Sequence, residues 1–155
     1  MKVPLMERQY RRFDMAKAVS IHRSKIHEHI VQALSGERAY IFDESGKKLF
    51  PTIRELLTFC ALLGYYNNKK VPLDKLAGTE DIQGVTYEDT EALEFIWLIG
   101  LAETLNLETL KDGNEKICSQ IFEEYVNGGL DLLSHHLNDV AKEKWPKILF
   151  DLSNV

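Results

Sequence analysis

Phe50–Leu73 reads F-P-T-I-R-E-L-L-T-F-C-A-L-L-G-Y-Y-N-N-K-K-V-P-L and contains a helix with both ends written into it. Thr52 is an amino-terminal cap and Glu55, three residues on, completes a capping box, so two backbone donors that the helix itself leaves unpaired find partners locally. Ile53, Leu56, Leu57, Cys60 and Leu63 recur at three- and four-residue spacing and form a wide apolar stripe, which is stable only when buried against another element. Gly64 is the expected left-handed closing residue, after which Asn67, Asn68, Lys69 and Lys70 lead out to solvent.

Working outward from this helix, the other segments follow the same period. Ser20 is the expected cap of a helix carrying Ile26, Ile30, Ala33 and Leu34, with Gly36 at its end. Ala39–Leu49 contains a turn-like Asp-Glu-Ser-Gly and reads as a short β-hairpin or a loop. Asp74–Val85 reads as a loop with one short helical turn. Thr86 and Asp89 open a helix to about Leu105 that is apolar nearly all round, which marks it as the central buried helix, with Gly100 admitting a close neighbour. Asn114 caps a helix bearing Ile117, Ile121, Phe122, Tyr125 and Val126. Gly128 and Gly129 would cost a helix interior about 1 kcal/mol each relative to alanine, so they mark either a break or a close approach of another backbone or a ligand. Leu130, Leu133, Leu137 and Val140 resume the stripe, and Trp145–Leu152, with Pro146 near its start, makes a last short helix. The fold class is all-α: five to seven helices in one compact domain over residues 20–155, preceded by a basic arm over residues 1–19.

Composition narrows the function classes. At 155 residues and 45% hydrophobic the chain suits one globular domain. Cys60 and Cys118 lie on helix faces rather than in a spaced framework, which points to reduced, buried thiols and an intracellular setting. The longest apolar run, Phe95–Ala102, is far shorter than the roughly 20 residues a membrane span needs, and the amino terminus lacks the order of a signal peptide, so the cytoplasm is the expected compartment and no membrane partner is expected. The net charge of −5 is unevenly spread: residues 1–79 carry 14 basic against 8 acidic side chains, residues 80–139 carry 2 against 14. Such asymmetry either offers one face to phosphate and another to a basic partner, or is solvated surface that happens to segregate.

In the arm, Met6, Tyr10 and Phe13 stand at helical spacing among Arg8, Arg11 and Arg12. Arginines beside aromatics can grip a nucleic-acid backbone, or the rings can simply tuck the arm onto the domain. His22, His27 and His29 lack the i, i+4 pair that places two metal ligands on one helix face, so no metal site is expected. Glu123-Glu124 and His135-His136 are adjacent pairs whose side chains diverge by about 100° on a helix, too far to act as an acid and base on one bond. Phosphate-binding, nucleophile-elbow and zinc-protease motifs are absent from the sequence, and neither catalysis nor a cofactor is expected.

Two segments carry a family resemblance. Phe50–Leu73 contains the pattern F-x-T-x-x-x-L-x-x-F-x-A-x-L-G followed by K-K-V-P-L, and Ile121–Leu133 reads I-F-E-E-Y-V-N-G-G-L-D-L-L. In this order they resemble the DNA phosphorothioation (Dnd) system-associated protein 4 family over about the last two-thirds of the chain. Val126 and Cys60 stand where that family commonly has alanine, and Asp43–Lys48 is extra length before the first motif. The resemblance implies a bacterial protein encoded with the machinery that places sulfur in the DNA backbone, or with the anti-phage restriction arm that spares DNA so marked, and it implies no catalytic residue. On this reading the chain is an accessory or regulatory protein whose partners are other Dnd-system proteins. Arg8, Arg11, Arg12, Lys69 and Lys70 are its candidate DNA contacts, and the acidic middle docks on a protein. In the alternative it is an interaction module without nucleic-acid contact. Phe122, Glu123, Glu124, Tyr125, Asn127, Gly128 and Gly129 are candidates for the partner surface, although helix packing accounts for them equally well. A homodimer is compatible with the sequence, but no heptad pattern demands one.

Overall fold

The computed structural model describes residues 21–73, 79–82, 91–111 and 113–154. Strand β1 (Ile21–Ser24) and a 3-10 turn lead into α1 (Glu28–Leu34), followed by α2 (Ile53–Tyr66), β2 (Thr79–Ile82), α3 (Glu91–Thr104), α4 (Glu115–Leu137) and α5 (Trp145–Ser153). The class is all-α, with five helices among the described residues, and β1 and β2 pair in a two-stranded sheet. Ser20, Thr86 and Asp89, the expected helix-opening residues, lie outside the described residues, as do Arg8, Arg11 and Arg12.

The sheet corrects two expectations, a helix from residue 20 and a loop over Asp74–Val85. Over Ile21, His22 and Arg23 burial alternates with the two-residue period of a strand, and Ser24 at its end is buried as well. The helical period begins later, at Ser24, whose extended backbone and side chain, accepting from the Ile26 amide at 3.2 Å, cap the 3-10 turn Lys25–His27. Ile26 consequently sits outside α1 and is 59% exposed, whereas Ile30, Ala33 and Leu34 are buried as expected. Gly36, with φ of 77°, follows the helix end. Residues 39–49 form a tight turn rather than paired strands: a single antiparallel bridge joins Phe42 to Lys48, and Asp43 Oδ1 accepts from the Ser45 and Lys47 amides, both at 2.9 Å.

The described residues group into two compact units. One comprises residues 21–23 with the described part of Glu80–Glu123; the other comprises the described parts of Ser24–Thr79 and Glu124–Val155. In the first, Ile96, Ile99, Cys118 and Phe122 are buried, and a Cβ on Gly100 would stand 2.5 Å from Cys118 Sγ, so the glycine does admit the close neighbour expected of it. The expectation that α3 is buried all round is not met: Leu98 is 57% exposed and Trp97 only half-buried. Ile117, expected on the buried face of α4, is likewise 43% exposed.

In the second unit the capping box forms as read, with Glu55 N–H donating to Thr52 Oγ1 at 3.2 Å and the Thr52 amide to Glu55 Oε2 at 3.1 Å. Leu56, Leu57, Cys60 and Leu63 are buried against this unit's core, which includes Leu130, Leu133 and Leu137 of α4 and Trp145 and Leu149 of α5. Gly64 does not close α2, which continues to Tyr66; the left-handed residue is Asn68, with φ of 53°. Gly64 serves packing instead, since a Cβ there would fall on the Tyr125 carbonyl oxygen. Nor do Gly128 and Gly129 break α4. They are the points of close approach, where a Cβ on Gly129 would meet the Cys60 carbonyl and one on Gly128 the Lys69 carbonyl.

Gly129→Ala tests this contact. Helix propensity alone would favour alanine by about 1 kcal/mol, but the added methyl meets main-chain atoms of Cys60 that have no rotamer through which to yield. The variant is expected to lose ~2 kcal/mol in urea denaturation, in line with the cost of overpacking a core. A gain in stability would show that α2 and α4 stand farther apart.

Candidate functional site

The two motifs of the sequence meet in one joint. Past Tyr66 the chain turns through Asn67, whose side-chain amide donates to the Leu63 carbonyl at 2.8 Å, and through left-handed Asn68. The Lys69 amide then donates back to the Gly64 carbonyl at 2.8 Å. From there Lys69–Pro72 runs as a strap along α4. The Val71 amide donates to the Glu124 carbonyl at 3.0 Å, and Asn127 Nδ2 donates to the carbonyls of Val71 at 3.1 Å and Pro72 at 3.2 Å. Gly128 lets the Lys69 main chain lie directly on the helix. Asparagine suits this position because its amide supplies two N–H donors to a segment that has no strand partner.

Electrostatics reinforce the strap. Lys69 Nζ is 2.7 Å from Asp131 Oδ2; Lys70 Nζ is 4.0 Å from Glu124 Oε2 and 5.9 Å from the centre of the Tyr125 ring. Tyr125 also takes Tyr65 of α2 edge-on, with ring centres 5.5 Å apart. Asp131 is shared further: His27 Nε2 is 3.9 Å from Oδ1 and His135 Nδ1 4.0 Å from Oδ2. The hydrogen bond from Lys69 holds the Asp131 carboxyl below the usual carboxylate range. Burial pushes the His27 imidazole below its ordinary value, reinforced by His29 and His135 and opposed by Asp131.

The structure thus places the sequence candidates as follows. Lys69 and Lys70 face carboxylates of their own chain. Glu123 is partly exposed and accepts from the His22 amide at 2.8 Å, with His22 Nδ1 3.0 Å from the same oxygen, tying β1 to α4 within the first unit. Glu124 is partly exposed, while Phe122, Tyr125, Asn127, Gly128 and Gly129 are buried in internal packing. No group of three or more His, Cys, Asp or Glu among the described residues is arranged to hold a metal ion. The Cys60 thiol is fully buried and its pKa is pushed up by desolvation, which suits packing rather than nucleophilic attack.

A feature the sequence reading missed lies elsewhere in the second unit. The turn of residues 42–50, Phe59 of α2 and the outer face of α5 enclose an open apolar groove of about 970 Å³, with Phe50 and Phe59 packed at 5.4 Å on its floor. Through Phe59 and Ser153 it runs on into a second trough of about 390 Å³ beside Leu62 and Tyr66. Phe42, Tyr66 and Phe150 are 45%, 64% and 64% exposed. The signal available was that these side chains fall off the buried stripes of their elements.

A family model described as DNA sulphur modification system-associated protein 4 matches residues 20–154. The chain belongs to that family. The match reaches well before the first motif, so the family's pattern includes β1 and α1 as well as the last two-thirds of the chain. No curated protein and no solved structure matches the chain. In this member of the DNA sulphur modification system-associated protein 4 family, the two motif segments are the two sides of the strap joint.

Two expected outcomes follow from the joint. Asn127→Ala leaves two strap carbonyls without their donor and is expected to cost ~1–2 kcal/mol, with faster hydrogen exchange at the Lys69 and Val71 amides; unchanged exchange there would show that Asn127 does not hold the strap. The second concerns pH. His27 is favoured neutral in the fold, so the unfolded chain binds more protons near 6.5, the ordinary histidine value, and this contribution to stability is lost as pH falls through the window below it. Asp131 contributes above 3.8, the ordinary carboxylate value, and its share is lost only at more acid pH, as pH falls through its lowered value. His27→Gln is therefore expected to flatten the denaturant midpoint against pH in the upper window and leave the lower one in place.

Proposed function

We propose that this protein is a non-enzymatic accessory component of the DNA sulphur modification system that acts by binding another protein of that system. The observation that carries the reading is how the described surface divides its groups. Lys69 and Lys70 are engaged by Asp131 and Glu124, while the aromatic side chains of the groove stand in solvent. Exposed contiguous aromatics on a small protein mark a binding surface. The family supplies the setting, since its members are associated with DNA sulphur modification.

A second reading is favoured by the charge of the chain: residues 1–79 carry a net +6, with Arg8, Arg11 and Arg12 in the arm, and these suit DNA phosphates. The two readings separate in one pair of measurements. The protein is expected to retain a partner from the host's sulphur modification system after nuclease treatment, and to show little affinity for duplex DNA, with or without phosphorothioate, at low or high salt. Salt-sensitive DNA binding that falls in an Arg11→Ala, Arg12→Ala double variant, with partner capture lost on nuclease treatment, would replace the protein-binding reading with the DNA one.

A further inference from the structure

The groove has a composition that selects its occupant. Leu49, Phe50, Phe59 and Leu149 form an apolar floor, and carboxylates stand on both walls: Asp43 and Glu44 on the turn, Glu143 ahead of α5. Lys147 is the single cation among the described lining residues; Lys47, Lys48 and Lys144, close by in sequence, do not line the groove. Asp43 is fixed in this role, because its Oδ1 accepts from the Ser45 amide at 2.9 Å, the Ser45 hydroxyl at 2.7 Å and the Lys47 amide at 2.9 Å, interactions that favour the carboxylate. The second trough adds apolar length and, among the described residues, no charged lining residue.

The walls also decide the conformation of what binds. They are helices α2 and α5, whose main chains are hydrogen-bonded internally, and a turn whose bridge residues are already paired, Phe42 with Lys48 and Phe50 with Ser35. A bound chain therefore finds no strand edge to pair with and has to satisfy its own backbone donors and acceptors, as a helix does. Apolar floor and acidic walls together suit a helix with one apolar face flanked by cations.

We infer that the groove between the 42–50 turn, α2 and α5 receives a basic amphipathic helix of a partner protein, one that presents Leu, Met or Phe to the floor and Lys or Arg to Asp43, Glu44 and Glu143. This rests on the protein-binding reading above and names the chemistry of the partner.

The test uses the intact chain and a fluorescent peptide of roughly 15 residues, long enough for a marginal helix, with leucine and phenylalanine on one face and lysine on the other. Matched controls carry glutamate in place of lysine, or the same composition scrambled so that the apolar stripe is lost. The lysine peptide is expected to bind, to weaken as salt screens the charges, and to lose about tenfold in affinity against Phe150→Ser, a substitution at a 64% exposed position. The double variant Glu44→Lys, Glu143→Lys is expected to reverse the preference and accept the glutamate peptide. Thermal melting of each variant alongside the parent chain checks that the fold is kept, and the charge-reversal pair reads the groove without truncating its floor. Equal binding of all three peptides, or indifference to Phe150→Ser, would overturn the inference. If the peptide fails while a host partner is still retained after nuclease treatment, the groove's occupant is wrong and the protein-binding reading stands; if both fail, the reading itself falls.

Discussion

Gly64 on α2 and Gly128 and Gly129 on α4 bring main chain against main chain, and the second unit depends on that contact. A side chain of any size at these positions would hold α2 and the strap away from α4. Leu57, Cys60, Leu130 and Leu133 would then lose the close packing that makes burial worthwhile. Glycine inside a helix is unfavourable by about 1 kcal/mol, and α4 carries two in succession without breaking, each set against the main chain of another segment. The local cost is offset by tertiary contact, which is why the pair reads ambiguously in the sequence and plainly in the structure.

The strap joint follows from the same contact. With Lys69 lying on Gly128, the next residues have no strand to pair with, and Asn127 and the Glu124 carbonyl supply the partners they need. Asp131 gathers Lys69, His27 and His135 around one carboxylate, so that charge which looks available for a ligand in the sequence is engaged within the chain. The two segments that carry the resemblance in the sequence are thus ones that hold this unit together. The aromatic side chains left exposed around the groove are Phe42, Tyr66 and Phe150, and of these only Tyr66 lies within a motif segment.

The first unit shows a different economy. Gly100 against Cys118 repeats the use of a small residue for close approach. Yet Leu98 of α3 stays 57% exposed, and Leu105 and Leu107, just beyond its end, stay 86% and 72% exposed. Glu123 anchors β1 by accepting from the His22 amide, which explains one member of its acidic pair by an interaction a hundred residues away in sequence.

By itself the sequence determined the parts that depend on neighbours along the chain: the capping box of Thr52 and Glu55, the buried stripe of α2, the Gly36 closure, the Pro146 start of α5, the all-α class and, through its two motifs, the family. These are set by hydrogen bonds and periodicities spanning a few residues, and such signals survive in one dimension. The tertiary structure alone decided the rest. It turned residues 21–24 into a strand because their pairing residues lie at 79–82, carried α2 past Gly64, kept α4 whole through Gly128 and Gly129, and brought the turn, α2 and α5 around one groove. Each of those outcomes depends on which distant backbone or side chain arrives at a position, and spacing along the chain carries no record of that arrival.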